Sequence, residues 1–388
     1  MYRRFRKRLQ IVEPTKADVL IFDDLGSNWL HHCLPSDITR VTISLRHSFP
    51  IILSFRFFFD LLRNLVRGMQ NRPVAVYYSL LCTLIKYFSP RVIISCADNN
   101  SLLARYAECH PQTKVVLIQN SLRDTRHSFH SFTPGEGLPV YLSLGETERK
   151  IFHTLGIHYK EYRPIGSVKL GLALSDKKDE PHQTFDLAFV SHYREDLPEQ
   201  VPTPLYSLMA PNEKYLFNLC CRYAENLTLT MVVIMKARSP QERLAEEEYY
   251  KSLAAEFPVH FVCADKAKRE LDSYFAGLAS GLVIHSASTL GFELLAAGKK
   301  VVLGATVNPK LIEAWGIEHY VDALPDSVKL KAGGSDADFF QHCDTLRAMP
   351  DEQYHELTRK AAQSLVSMPA DGCPHEKVTA LISDWLRA

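Results

Sequence analysis

The sequence predicts an α/β protein made of two doubly wound halves, and three observations carry that prediction. Short β-branched runs alternate with stretches of helical length and spacing, the pattern of parallel strands joined by helical crossovers. The alternation lapses once, in the polar and aperiodic run Ser175-Asp-Lys-Lys-Asp-Glu-Pro-His, and then resumes. Polar residues such as Asp98, Asn120 and His285 follow the apolar runs directly, where parallel sheets collect ligands beyond the carboxyl ends of their strands.

Taken in order, the first half should hold strands at residues 19–22, 41–45, 92–95, 115–119, 140–144 and 162–165, with helices at 55–66, 74–88 and 102–109. Residues 169–184 read as the connection between halves. The second half should hold strands at 186–191, 229–235, 259–262, 282–285 and 300–303, helices at 213–224, 241–256, 268–279 and 290–297, and a last helix near 376–387. This places two Rossmann-like domains at 1–175 and 184–388, facing a cleft. No repeat of 20–50 residues interrupts the scheme. No G-x-G-x-x-G or G-x-x-x-x-G-K-[ST] segment follows a strand, which argues against dinucleotide-dependent oxidoreductases and P-loop enzymes.

With 388 residues, of which 46% are hydrophobic, the chain can build two packed cores. Its 45 basic and 44 acidic residues leave no overall basic footprint for nucleic acid. Residues 1–72 differ: 12 Lys/Arg against 6 Asp/Glu is a local excess of six. The nine cysteines are scattered without a C-x-x-C pair, and fit free thiols in a reducing compartment. His31-His32 and His127/His130 lack partners at zinc spacing, so no structural metal is expected. The basic start is followed by Glu13, Pro14 and Lys16 rather than an apolar stretch, which speaks against a signal peptide. The most apolar stretch, 49–69, carries Arg56, Asp60, Arg63 and Arg67 and does not read as a membrane span. A cytoplasmic protein is expected. Arg3, Arg4, Arg6, Lys7 and Arg8, with the phenylalanines and arginines of 49–66, raise peripheral attachment to an anionic membrane; the alternative is that those aromatics cover the first sheet with the arginines solvated outside, which leaves the basic cluster.

Chemistry concentrates in residues 283–305. The strand ends in His285 and Ser286, a helix starts near Leu290, and Ser288 and Thr289 lie at its mouth. Unpaired amides and the positive end of the helix dipole make such a start an anion site. Glu293, one turn in, is within reach of a ribose; alternatively, Ser288 or Thr289 caps the helix and Glu293 completes a capping box. Lys236 and Arg238 follow another strand and suit a phosphate or simply solvent. Asp98 and Asp196 are the carboxylates placed to react, as base or nucleophile, although Asp98 also suits a helix cap near Ser101 and Asp196 a turn before Pro198. Gly166 and Ser167 allow close backbone approach to a donor, or only a turn. Asp23-Asp24 lacks D-x-D spacing and reads as a solvated loop.

The hydroxyl-rich turn, Gly291, Glu293 and Ala297-Gly298-Lys299-Lys300 together resemble the donor-nucleotide motif of GT-B glycosyltransferases. Ala97-Asp98-Asn99-Asn100 with Gln119-Asn120-Ser121-Leu122-Arg123, Pro164-Ile165-Gly166-Ser167-Val168-Lys169, and Val190-Ser191-His192-Tyr193-Arg194-Glu195-Asp196 extend the likeness over most of the chain. More narrowly, the chain resembles bacterial surface-carbohydrate biosynthesis transferases, including the retaining β-Kdo transferases that use CMP-Kdo. The resemblance implies a metal-independent glycosyltransferase without cofactor. It implies a donor site of Gly166, Ser167, Ser191, Lys236, His285, Ser286, Ser288, Thr289 and Glu293, and catalysis by Asp98, Asp196 and Arg194. Asn99, Asn100, Asn120 and Arg123 would face a glycan or glycolipid acceptor, and the last helix would pack back on the first domain. A UDP-sugar or CDP-polyol transferase and a non-catalytic glycan-binding scaffold are the alternatives.

Overall fold

The computed structural model describes residues 8–387, apart from 14, 24–25, 46–47, 69–73, 130, 133–136, 177–183, 194–203, 238 and 264–270. In the first half, chain order runs β1 (Arg8–Ile11), β2 (Val19–Phe22), α1 (Ser27–Leu30), β3 (Arg40–Ile43), β4 (Ser48–Ile51), α2 (Phe55–Gly68), α3 (Val74–Phe88), β5 (Val92–Ser95), α4 (Ser101–Cys109), β6 (Lys114–Ile118), β7 (Gly137–Ser143), α5 (Thr147–Leu155), β8 (His158–Pro164) and α6 (Val168–Ser175). Strands β3-β2-β5-β6-β7-β8 form a six-stranded, wholly parallel sheet, and β1 pairs with β4 beside it. The second half runs β9 (Phe185–Val190), α7 (Pro204–Asn226), β10 (Met231–Met235), α8 (Pro240–Ala254), β11 (His260–Cys263), α9 (Asp272–Leu278), β12 (Ser280–His285), α10 (Thr289–Ala296), β13 (Lys300–Leu303), α11 (Pro309–Trp315), α12 (Glu318–Ala323), α13 (Asp336–Ala348), α14 (Asp351–Leu365) and α15 (Pro374–Arg387). Its sheet is parallel in the order β11-β10-β9-β12-β13.

The central strands are apolar throughout because both faces of a parallel sheet are covered. Alternation then assigns each residue to a face. Leu20 and Phe22 meet Leu80, Leu84 and Phe88 of α3, whereas Val19 and Ile21 meet Trp29, Val168 and, from the far end of the chain, Val378 and Ile382. Helix α15 thus packs on the first sheet, and the Thr379 hydroxyl donates to the Cys33 carbonyl at 3.0 Å. Side chains start several helices: Asn100 caps α4, Ser167 caps α6, and Ser335 with Asp338 forms a capping box on α13.

Three local expectations give way. Residues 168–175 form α6 rather than a loop; two turns of small apolar residues fit between Ser167 and the polar run. Asn100, not Asp98, caps α4, its Oδ1 accepting from the amides of Leu102 and Leu103. Asp23 is buried in a left-handed conformation, φ 68°, and accepts from the Ser44 hydroxyl at 3.1 Å, while Asp24 lies outside the described residues. All nine cysteines are free.

Candidate functional site

The strand order of the second sheet reverses between β9 and β12, so the crevice for a ligand lies beyond Val190 and His285. At this switch point β12 turns through Ser286, Ala287 and Ser288 into α10. The His285 ring folds back under the turn, and its Nδ1 accepts from the Ser288 amide at 2.9 Å. Burial pushes the imidazole down to about 3, so it stays neutral as the acceptor its position requires. The ring lies against Gly291, where a Cβ would come within 2.4 Å of three of its atoms. His285 therefore shapes the turn and brings no positive charge to it. The Ser286 hydroxyl accepts from Asn212 Nδ2 at 3.0 Å.

Helix α10 begins without a side-chain cap, so neither Ser288 nor Glu293 serves the capping box that their spacing allows. Thr289 Oγ1 instead accepts from the Leu122 amide at 3.0 Å, reaching into the first half. Glu293 is buried and also bonded to the first half: it accepts from the Ser167 hydroxyl and, within its own half, from the Tyr274 hydroxyl at 2.8 Å. Burial raises its carboxyl above the usual range, an effect the two hydroxyls and nearby Lys169 oppose. Gly166 has φ 87°, and its missing Cβ makes room for Ser367 and Met368 of the returning chain, within 3.2 Å.

Beyond β9, the Ser191 hydroxyl donates to Glu246, whose carboxylate also accepts from the amides of Lys236 and Ala237. The Lys236 side chain is exposed. The His192 amide donates to Glu213 at 2.6 Å, and the Tyr250 hydroxyl lies 2.8 Å from Ser191 Oγ and 2.7 Å from Glu213 Oε1. Burial pushes Glu213 up to about 7. Sequence reading missed Glu213, Glu246 and Tyr250, which sit on helices like ordinary surface residues. Arg194, Asp196 and Arg238 lie outside the described residues.

Across the cleft, Asp98 is wholly buried. Arg123 Nε donates to its Oδ2 at 2.7 Å, a second guanidinium nitrogen reaches Oδ1, and the Tyr141 hydroxyl donates to Oδ2 at 2.6 Å. Burial, the largest single effect, would lower the Arg123 guanidinium; the Asp98 charge and hydrogen bonds, with Tyr141 and Tyr320, together outweigh it and raise the group. Asn120 joins this knot, donating to the Cys96 carbonyl at 2.6 Å and accepting from Arg123 at 3.2 Å. Asn99 donates to the Ser128 carbonyl, and Asn100 is spent on its cap.

Beside the knot stands a glutamate that sequence reading did not select. Glu148 Oε1 accepts from Gln119 Nε2 at 2.6 Å and from the Tyr320 hydroxyl at 2.8 Å, whereas its buried Oε2 has no hydrogen-bond partner. Burial pushes this carboxyl up to about 7. The Tyr320 hydroxyl also accepts from the Arg123 amide at 3.0 Å, so one phenol ties the second half to both carboxylate clusters of the first. With Leu122 on Thr289 and Arg123 on Asp98, consecutive residues of one loop connect the turn before α10 to the buried acid.

Two other features lie apart. A cavity of about 270 Å³ between α7 and α13, lined by Tyr215, Lys331 and His342, holds none of these residues. Among the described residues, Cys373, His375 and Glu376 bring three potential ligand atoms within 4.8 Å at the start of α15, where the helix field opposes a cation.

No family model and no curated protein matches this chain. Solved structures do. UDP-GlcNAc 2-epimerase from Neisseria meningitidis, bound to UDP-GlcNAc, superposes with a TM-score of 0.52 at 13% identity, covering 97% of this chain and 100% of the other. The Methanocaldococcus jannaschii UDP-GlcNAc 2-epimerase, in complex with UDP-GlcNAc and UDP, gives 0.53 at 10%, over 97% and 100%. The wall teichoic acid polymerase TagF gives 0.52 at 9%, over 96% and 90%. At such identities the likeness establishes architecture: the fold is GT-B, with two Rossmann-like domains.

Proposed function

We propose that the protein is a glycosyltransferase that moves a sugar from a nucleotide-activated donor to a surface-glycan or glycolipid acceptor, with the donor on the 184–388 domain and the acceptor on 1–175. The observation that carries this reading is the start of α10, which lacks a side-chain cap and stands at the switch point of its sheet against the 119–125 loop. A donor phosphate there gains amide hydrogen bonds and the helix field. Ser288 and Thr289 supply hydroxyls, Glu293 accepts from the ribose, Ser286 and Ser191 border the strand ends, and Lys236 adds charge. Gly166 and Ser167 close the site from the opposite wall.

Asp98 is the reacting carboxylate of this proposal, oriented by Arg123 and Tyr141, with Asn99, Asn100 and Asn120 around it; Asp196 and Arg194 keep their assigned roles at the β9 end. Motif resemblance favours CMP-Kdo as donor. UDP-sugars and CDP-polyols are the alternatives on the same architecture.

A second reading, a nucleotide-sugar epimerase, is favoured by the epimerases among the structural neighbours. Incubating the pure protein with CMP-, UDP-, GDP- and CDP-linked donors separates the two. A transferase releases nucleotide from one class, and an epimerase changes the sugar while leaving the nucleotide attached. Binding with neither product would assign a non-catalytic scaffold.

A further inference from the structure

Helix α2 turns its apolar side away from the protein. Phe57 is fully buried and Asp60 nearly so, yet Phe55 is 90% exposed, and Phe58, Phe59, Leu62 and Val66 are also exposed. Their spacing puts these five on one face of a helix and Phe57 on the opposite one. Isolated exposed apolar residues are ordinary; a contiguous ridge of three phenylalanines, a leucine and a valine marks an interaction surface. The inner side of α2 is pinned to α3, since Lys86 Nζ binds Asp60 at 2.7 Å and Asn64 Nδ2 donates to Thr83 Oγ1 at 3.0 Å. The exposed ridge is therefore held in place and is not a helix awaiting its core.

We propose that this face of α2 inserts into the interfacial layer of an anionic lipid bilayer. Charge and shape select that occupant. Arg56 and Arg63 are exposed along one flank of the ridge, and the only acid of the helix, Asp60, is buried and shared between Arg63 and Lys86. The flank thus offers positive charge at headgroup depth beside side chains suited to the acyl boundary. A single helix face of exposed apolar side chains flanked by arginines is the arrangement of an interfacial helix, which suits a fluid lipid surface. Among the described residues no helix is long and apolar enough to cross a membrane, so attachment through α2 is peripheral. Antiparallel α3 leads into the amino end of β5, so the carboxyl end of α2 points toward the sheet edge that holds Asp98. If the glycosyl-transfer reading holds, the acceptor is lipid-linked; membrane attachment itself does not depend on that reading.

The test is flotation of the full chain with vesicles of phosphatidylcholine alone and of phosphatidylcholine with phosphatidylglycerol. Wild type is expected to float with the anionic vesicles. A Phe58→Asp/Phe59→Asp variant should lose that binding, and Arg56→Glu/Arg63→Glu should weaken it roughly tenfold or more, both with unchanged far-ultraviolet circular dichroism and unchanged nucleotide affinity. Failure of wild type to bind either vesicle overturns the proposal, as does undiminished binding by the double-aspartate variant. A concentration-dependent dimer abolished by the same substitutions would assign the ridge to a second copy instead. A Glu293→Ala variant that floats like wild type but binds nucleotide more weakly separates this surface from the donor site.

Discussion

Glu148 shows most plainly what a single side chain can conceal. In sequence it is the middle of Thr-Glu-Arg at a helix start and reads as a solvated charge; in the fold one oxygen is bonded twice and the other has no partner. Unfolded, the carboxyl titrates near its ordinary 4.5, and folded near 7. Between those values the folded chain holds the extra proton, so this residue removes stability as pH rises through the window, and the full loss is present above it. Glu148→Gln should therefore leave stability near pH 4.5 little changed and raise it by up to about 3 kcal/mol above neutrality. Urea unfolding across that range would show parallel profiles for the two proteins if Glu148 did not titrate. Asp98 and Arg123 were each visible as candidates, but 25 positions of separation hid their pairing. Glu293 was singled out as a candidate, but its bond to Ser167, 126 positions away, was not foreseeable. Glu293→Ala is expected to weaken donor-nucleotide binding by about 1–3 kcal/mol in calorimetry; unchanged affinity would remove it from the site.

At the level of elements, the central strands were read well because a parallel strand buried on both faces is an unbroken apolar run, as in Val115 to Ile118, whereas the β1–β4 pair beside the sheet and most of the partly exposed β8 were not read. Helix α2 was legible in period and ambiguous in direction, since apolar residues occupy both its inner and outer sides and only packing decides between Phe57 and Phe58. Helices α11 and α12, with 7 and 6 residues, are too short to show a period. The junction of β12 with α10 was the best-read element, although its internal device was not. The His285 ring fills the space a side chain at 291 would need, and the Ser288 amide fixes that ring. Gly291→Ala should cost about 1–3 kcal/mol by overpacking and lower the melting temperature. An unaltered melting curve would mean that the ring yields freely.

On the scale of the whole molecule, α15 belongs to the second half by sequence and to the core of the first by packing. Ile382 is fully buried among residues of the first sheet. Ile382→Asp places an unpaired charge there and should cost well over about 3 kcal/mol, enough to expose the first half to limited proteolysis. If cleavage starts only in the second half, the first sheet does not need the helix. Sequence alone supplied two alternating halves, but the contacts that tie them, Leu122 to Thr289, Arg123 to Tyr320 and Ser167 to Glu293, span 126 to 197 positions and leave no local signal.

The polypeptide leaves the first sheet after α6 and comes home before α15, so two tethers join the halves. A chain that crosses between the halves twice limits how far they can part more tightly than a chain that crosses once. Gly166 abuts Ser367 and Met368 on the homeward tether, and Ser167 begins the helix that leads to the outward one. The hydroxyl that meets Glu293 consequently lies beside both crossings of the chain, where the covalent connections hold the halves nearest each other.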